Sequence, residues 1–168
     1  SKDLSDKVWT AFRSIWKSGL YVCGRPPYGY KKNREKKCLE IDEYAAQVVK
    51  RIFSMYLNGM KLAEIARTLK NEGILSPSQY RYSNIGDKEK FDKAKDWYYV
   101  QVKDILKYQQ YVGDSVHGKS GGKLGEHRTK RRNDKADWII IPDTHEAIVS
   151  REEFAIVQKM ISNSTKQF

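Results

Sequence analysis

Apolar residues recur at helical spacing in five stretches of the chain. Leu4, Val8, Phe12 and Ile15, with Trp9 and Trp16 beside them, draw a stripe along Ser1 to Ser18 that Gly19 should stop. Asp42 to Leu57 places Ala45, Val48, Val49, Ile52, Phe53 and Tyr56 on one side, with Asp42 as N-cap and Asn58-Gly59 as the end. Lys61 to Glu72 repeats Leu62, Ile65, Ala66 and Leu69, closes at Gly73, and has Ala63 and Ala66 for a close approach to its neighbour. Trp97 to Tyr108 turns Val102, Ile105 and Leu106 inward and Tyr98, Val100, Gln101, Lys103, Asp104 and Lys107 outward. Ser150-Arg151-Glu152-Glu153 is a capping-box pattern opening a fifth helix, with Phe154, Val157, Met160 and Ile161 on its apolar face.

Between these stretches the pattern changes. Gly24-Arg25-Pro26-Pro27-Tyr28-Gly29-Tyr30 cannot be helical, since two prolines fix φ and remove two donors; it reads as a stiff extended connector. The lysine-rich Lys31 to Lys37 leads into Cys38 to Ile41, whose alternation suits a strand. Gln79 to Asp96 is polar, charged and aromatic without a clear period and reads as a loop. Tyr111 to His117 and Asp137 to Ile141 read as two further strands, joined by a glycine-rich basic segment. The fold class that follows is α+β, mainly α: a helix-turn-helix or winged-helix-like arrangement with a short β-hairpin and flanking helices.

Charge narrows the partners. The 168 residues carry 32 Lys and Arg against 21 Asp and Glu, a net charge of +11, which favours polyanions such as nucleic acid. No run approaches the roughly 20 apolar residues that span a bilayer, and no basic amphipathic helix is spare for a membrane surface. The first stripe is expected to pack on a neighbouring domain, a second copy, DNA backbone or the rest of this domain.

Candidate chemistry is all of the binding kind. Cys23 and Cys38 form no CxxC pair, and His117, His127 and His145 are scattered, so neither zinc nor any other cofactor is expected. There is no HExxH, P-loop, GxSxG or dinucleotide fingerprint, and Asp143-Thr144-His145-Glu146 reads as a turn. The fourth helix, by contrast, has the composition of a recognition helix. Gln pairs bidentately with adenine, Lys donates to guanine and Val touches a thymine methyl, so Tyr98, Val100, Gln101, Lys103 and Lys107 are candidate DNA contacts. Lys119, Lys123, Arg128, Lys130, Arg131 and Arg132 in the glycine-rich segment are candidate phosphate contacts, on charge alone.

The ordered set GRPPYGY (24–30), Leu39-x-Ile41-Asp42, Ala46-x-x-Val49-x-x-Ile52-Phe53-x-Met55-Tyr56, Gly59, Ile65-Ala66, Leu69, Gly73-Ile74, Pro77, Trp97, Val102-x-x-Ile105-Leu106, Tyr111-x-Gly113 and His145-x-x-Ile148-Val149-Ser150-x-Glu152-x-Phe154-x-x-Val157-Gln158 resembles the "recombinase" DNA-binding domain of large serine recombinases, found in phage integrases and transposon-encoded recombinases. The resemblance implies an upstream catalytic domain with a nucleophilic serine, ending in a long helix whose end would be 1–19. It implies a recombinase core over 20–116 and a strand and helix over 138–168 leading to a zinc-ribbon domain; the segment between them, 117–137, reads from its glycines and cations alone as a flexible basic loop. It further implies double-stranded DNA as partner, a homodimer or tetramer in the intact protein, a cytoplasmic, nucleoid-associated location, no catalysis by this portion alone, and Arg25 as the minor-groove residue of the connector. A stand-alone winged-helix regulator and a basic protein- or RNA-interaction module remain the alternative readings.

Overall fold

The computed structural model describes residues 2–21, 24–119 and 132–165. The chain divides into two compact units, 1–43 with 109–148 and 44–108 with 149–168. Among the described residues no helix is long and apolar enough to cross a membrane.

The first unit opens with α1 (Lys2–Lys17), stopped as expected by Gly19 at φ +76°. Its stripe is only partly covered: Leu4 and Val8 are 65% and 46% exposed, while Trp16 stacks on Phe12 and on His117. The side chain of Trp9 and the whole of Cys23 lie outside the described residues. Strands β1 (Tyr30–Asn33) and β2 (Cys38–Ile41) form an antiparallel hairpin with Tyr30 opposite Ile41. The lysine-rich approach to β2 is therefore itself a strand and a turn. Its lysines hid the strand, because only Tyr30 is buried on it. Asn33 sets the turn, its Oδ1 accepting from the Lys36 N–H and its Nδ2 donating to Glu40.

Strands β3 (Ser115–His117) and β4 (Ile139–Ile141) pair antiparallel, with a 3-10 turn at Gln109–Val112 before β3. Around that turn the motif residues of the sequence converge. The Tyr111 hydroxyl donates to Tyr28 O at 2.6 Å, and the Tyr30 hydroxyl donates to Glu146 O at 2.7 Å. His145 meets the Tyr30 ring edge-on at 4.8 Å. Gly113 sits at φ +95°, and a Cβ there would lie 2.8 Å from His145 O, so both conformation and space demand glycine. Burial lifts the Tyr30 phenol far above its ordinary range, which keeps it a neutral donor.

The second unit is helical: α2 (Glu43–Leu57), α3 (Leu62–Asn71), α4 (Pro77–Ile85), α5 (Lys88–Lys93), α6 (Tyr99–Leu106) and α7 (Arg151–Thr165). The expected stripe of α2 is buried in full, as are Ile65, Ala66 and Leu69 of α3, Val102, Ile105 and Leu106 of α6, and Val157 and Ile161 of α7. Each such Val, Leu, Ile or Phe side chain contributes about 1.5–3 kcal/mol. Ala63, expected at a close approach, faces solvent instead. Helix α3 packs on α6 and α6 on α7, and the Gln158 amide donates to Leu106 O. Ser150 and Glu153 close the expected capping box of α7.

Residues 79–96 are not a loop. They form most of α4 and all of α5, and neither helix buries a residue, so neither has an apolar period to detect. Their ends hold them. The Ser76 hydroxyl accepts from the Gln79 N–H while the Gln79 side chain accepts from the Ser76 N–H, with Pro77 at the first helical position. Gly86, at φ +72°, closes α4, and Asp87 caps α5 by accepting from the Lys90 N–H.

Candidate nucleic-acid interface

The site begins with Trp97, which is buried just before α6 rather than inside it and donates its indole N–H to Ile74 O at 2.9 Å. That anchor fixes where α6 starts. Tyr98 follows in extended conformation and half exposed, and its backbone N–H donates to the Gln101 Oε1 at 3.1 Å. Gln101 is therefore the cap of its own helix. Its amide NH2 and the second lone pair of Oε1 remain available, so the cap orients Gln101 and leaves it both functions that a bidentate pairing with adenine needs.

Tyr98 and Gln101 face a groove of about 280 Å³ whose other walls are Ser78 and Tyr82 of α4, Lys90 and Lys93 of α5, and Ala94 and Lys95 beyond it. Lys95 Nζ lies 5.9 Å from the centre of the Tyr98 ring, and the Arg81 guanidinium 4.2 Å from that of Tyr82. Lys90 pairs with Asp87 at 2.7 Å, which raises the lysine and lowers the carboxyl from their ordinary pKa values. Lys93 pairs with Glu89 at 2.6 Å. The Ser76 hydroxyl donates to Lys95 O at 2.7 Å, so the cap of α4 also fixes the backbone that carries Lys95.

The other expected contacts are dispersed. Val100 and Lys103 are half-buried on α6, and Lys107 is exposed at its C-cap. Arg25 is exposed in the extended run before β1, its carbonyl accepting from the Tyr21 hydroxyl at 2.6 Å. Lys119 is half-buried, with its ammonium 5.3 Å from the Trp138 ring centre, and burial lowers its pKa. Arg132 is exposed. Lys123, Arg128, Lys130 and Arg131 lie outside the described residues. The base of their segment is ordered, with Asn133 donating to Lys119 O and Gly118 O and Lys135–Asp137 forming a 3-10 turn.

Ser78, Tyr82, Lys90 and Lys93, with Lys95 just beyond α5, were missed because α4 and α5 have no apolar period. The signal that could have found them is the pair of start patterns, Ser76-Pro77-x-Gln79 and Gly86-Asp87. Among the described residues no group of three or more His, Cys, Asp and Glu could hold a metal ion.

The family model described as Recombinase matches residues 43–164. Among solved structures, the crystal structure of an LSR–DNA complex is similar at TM-score 0.63 and 17% identity, over 95% of this chain and 39% of that one. A second, from work on the sequence requirements of the Listeria innocua prophage attP site, has TM-score 0.56 and 20% identity, over 92% of this chain and 50% of that one. The chain thus spans at most half the length of either. At these identities the likeness is one of fold.

Proposed function

The chain belongs to the Recombinase family, and from that membership we propose that it is the DNA-binding region of a large serine recombinase, bringing the enzyme to specific attachment or transposon-end sites. The family match over 43–164 carries the reading. It is supported by a shared fold with an LSR–DNA complex, LSR being the abbreviation for large serine recombinase, and by a net charge of +11.

In this reading residues 1–19 end a helix from a catalytic domain, 20–168 form the DNA-binding region, and a zinc-ribbon domain follows. Arg25 enters a narrow minor groove, where the potential attracts arginine. Helix α6 addresses the adjacent major groove through Tyr98, Val100, Gln101 and Lys103, while Lys107, Lys119 and Arg132 take phosphates. The whole enzyme, as a dimer or tetramer, would break both strands through a phosphoserine linkage, exchange them and reseal without a high-energy cofactor. This chain supplies address and register.

Selection of bound sequences from a random duplex pool tests the reading. The wild-type chain should enrich a defined site, and Gln101→Ala should relax it at a few base positions, each worth about 1–3 kcal/mol. Recovery of no preferred site, or preferential binding of an RNA duplex in competition, would overturn it.

A further inference from the structure

Residues 87–96 are electrically neutral in sequence: Lys88, Lys90, Lys93 and Lys95 are balanced by Asp87, Glu89, Asp92 and Asp96. In space those charges are sorted. Among the described residues that line the groove between α4, α5 and the start of α6 there are three lysines, Lys90, Lys93 and Lys95, and no carboxylate. Three of the acids of the same segment pair with lysines, Asp87 with Lys90, Glu89 with Lys93, and Asp96 with Lys70 of α3 at 3.3 Å. The remaining polar groups of the wall are donors too. Ser78, Tyr82 and Tyr98 carry hydroxyls, and Gln101 carries an NH2, its Oε1 accepting from the Tyr98 N–H.

A wall of three lysines, two of them held by Asp87 and Glu89 from outside the lining, and four neutral groups that can donate fits an anion with several acceptor oxygens. The volume of about 280 Å³ is smaller than an ordinary drug-sized pocket and takes a phosphate with its sugar. We infer that this groove seats one phosphodiester segment of the DNA backbone beside the bases that α6 addresses. The α4–α5 pair is then a backbone clamp that sets the register of α6. The inference rests on the DNA-binding reading above and adds to it the site, the contacting atoms and the mode of contact. Glu89 competes with the phosphate for Lys93, so the pairing that orders the lysine in the free chain also tempers its affinity for DNA.

The probe is a mixed-sequence DNA duplex, titrated into the full chain from about 50 to 200 mM salt, with binding read by fluorescence anisotropy. Lys93→Ala and Lys95→Ala should each weaken binding to all sequences alike and lower the slope of log K against log salt by about one. Lys93→Arg should retain the wild-type slope, and Glu89→Gln should tighten binding, an outcome that a merely structural role for α5 does not produce. Lys50→Ala, an exposed lysine of α2 outside the groove, should leave the slope unchanged. Unchanged slopes in both groove variants, an equal fall in Lys50→Ala, or weaker binding in Glu89→Gln would overturn the clamp while leaving the DNA-binding reading intact. Absence of duplex binding by the wild-type chain would overturn both.

Discussion

Helices α3 and α5 lie in the same unit and are held by opposite means. Helix α3 buries Ile65, Ala66 and Leu69 and would keep its place with weak ends. Helix α5 buries nothing, has six residues, and starts on the Asp87 cap. The same contrast separates α2, α6 and α7 from α4. Packing makes a helix rigid but leaves only its outer face for a partner. Caps make a helix that is marginal alone yet presents polar residues all round. The groove takes six of its eight lining residues from α4, α5 and the two residues that follow them, the part of the unit with least hydrophobic support.

The largest expected effect breaks the packed set. Leu69 is 0% exposed, so Leu69→Ala removes buried methyls and leaves a cavity, costing about 2–5 kcal/mol. A thermal melt followed by circular dichroism should show the whole helical unit losing stability together. A fall under about 1 kcal/mol would mean that the stripe is not the main support of this unit.

A smaller and more local loss should follow Ser76→Ala. Ser76 is also 0% exposed, and its hydroxyl both caps α4 and donates to Lys95 O. Loss of the cap costs about 1 kcal/mol, and the Lys95 carbonyl loses its tether to the start of α4. Amide hydrogen exchange should quicken over 77–95 while the amides of α2 and α6 keep their protection. Equal quickening in both sets would show one cooperative element and would remove the contrast.

The same distinction explains what the sequence could tell. The stripe of α2, with the buried residues of α3, α6 and α7, was legible because burial at a period of 3.6 leaves a trace in composition. Strand β4 was legible as Ile139-Ile140-Ile141. Strand β1 and helices α4 and α5 were not, since their order comes from Asn33, Ser76, Gln79 and Asp87, single residues that look like ordinary surface polarity. Two of the eight groove residues followed the same rule. Tyr98 and Gln101 were found from the outward face of a periodic helix, whereas Lys90, Lys93 and Lys95 sit in a neutral segment whose charges separate only on folding. The motif GRPPYGY reads as an extended connector, and its Tyr28 and Tyr30 also take part in the core around Tyr111 and His145. Distant partners of this kind leave no local period.

The smallest expected effect should spare both sets of helices. Among the histidines, His117 and His145 are described, both lie in the first unit, and the second unit contains none. Burial is the main cause lowering both below their ordinary pKa of 6.5, with Lys119 adding to the effect at His117. At His145 the Nε2 proton faces Gln110 O at 2.6 Å, and that bond and Asp114 oppose the shift without reversing it. The unfolded chain therefore takes up protons near pH 6.5 that the folded chain still refuses, and the slope of stability with pH is positive there. Their contribution is complete above about pH 6.5 and is lost as pH falls toward the lower folded values. Hydrogen exchange corrected for intrinsic rates should show protection falling on acidification at 111–117 and 139–148, with 45–57 and 102–106 unchanged. Equal acid sensitivity in the helical unit would place the titrating groups among carboxylate pairs such as Asp87–Lys90, and α5 would then be the acid-labile element.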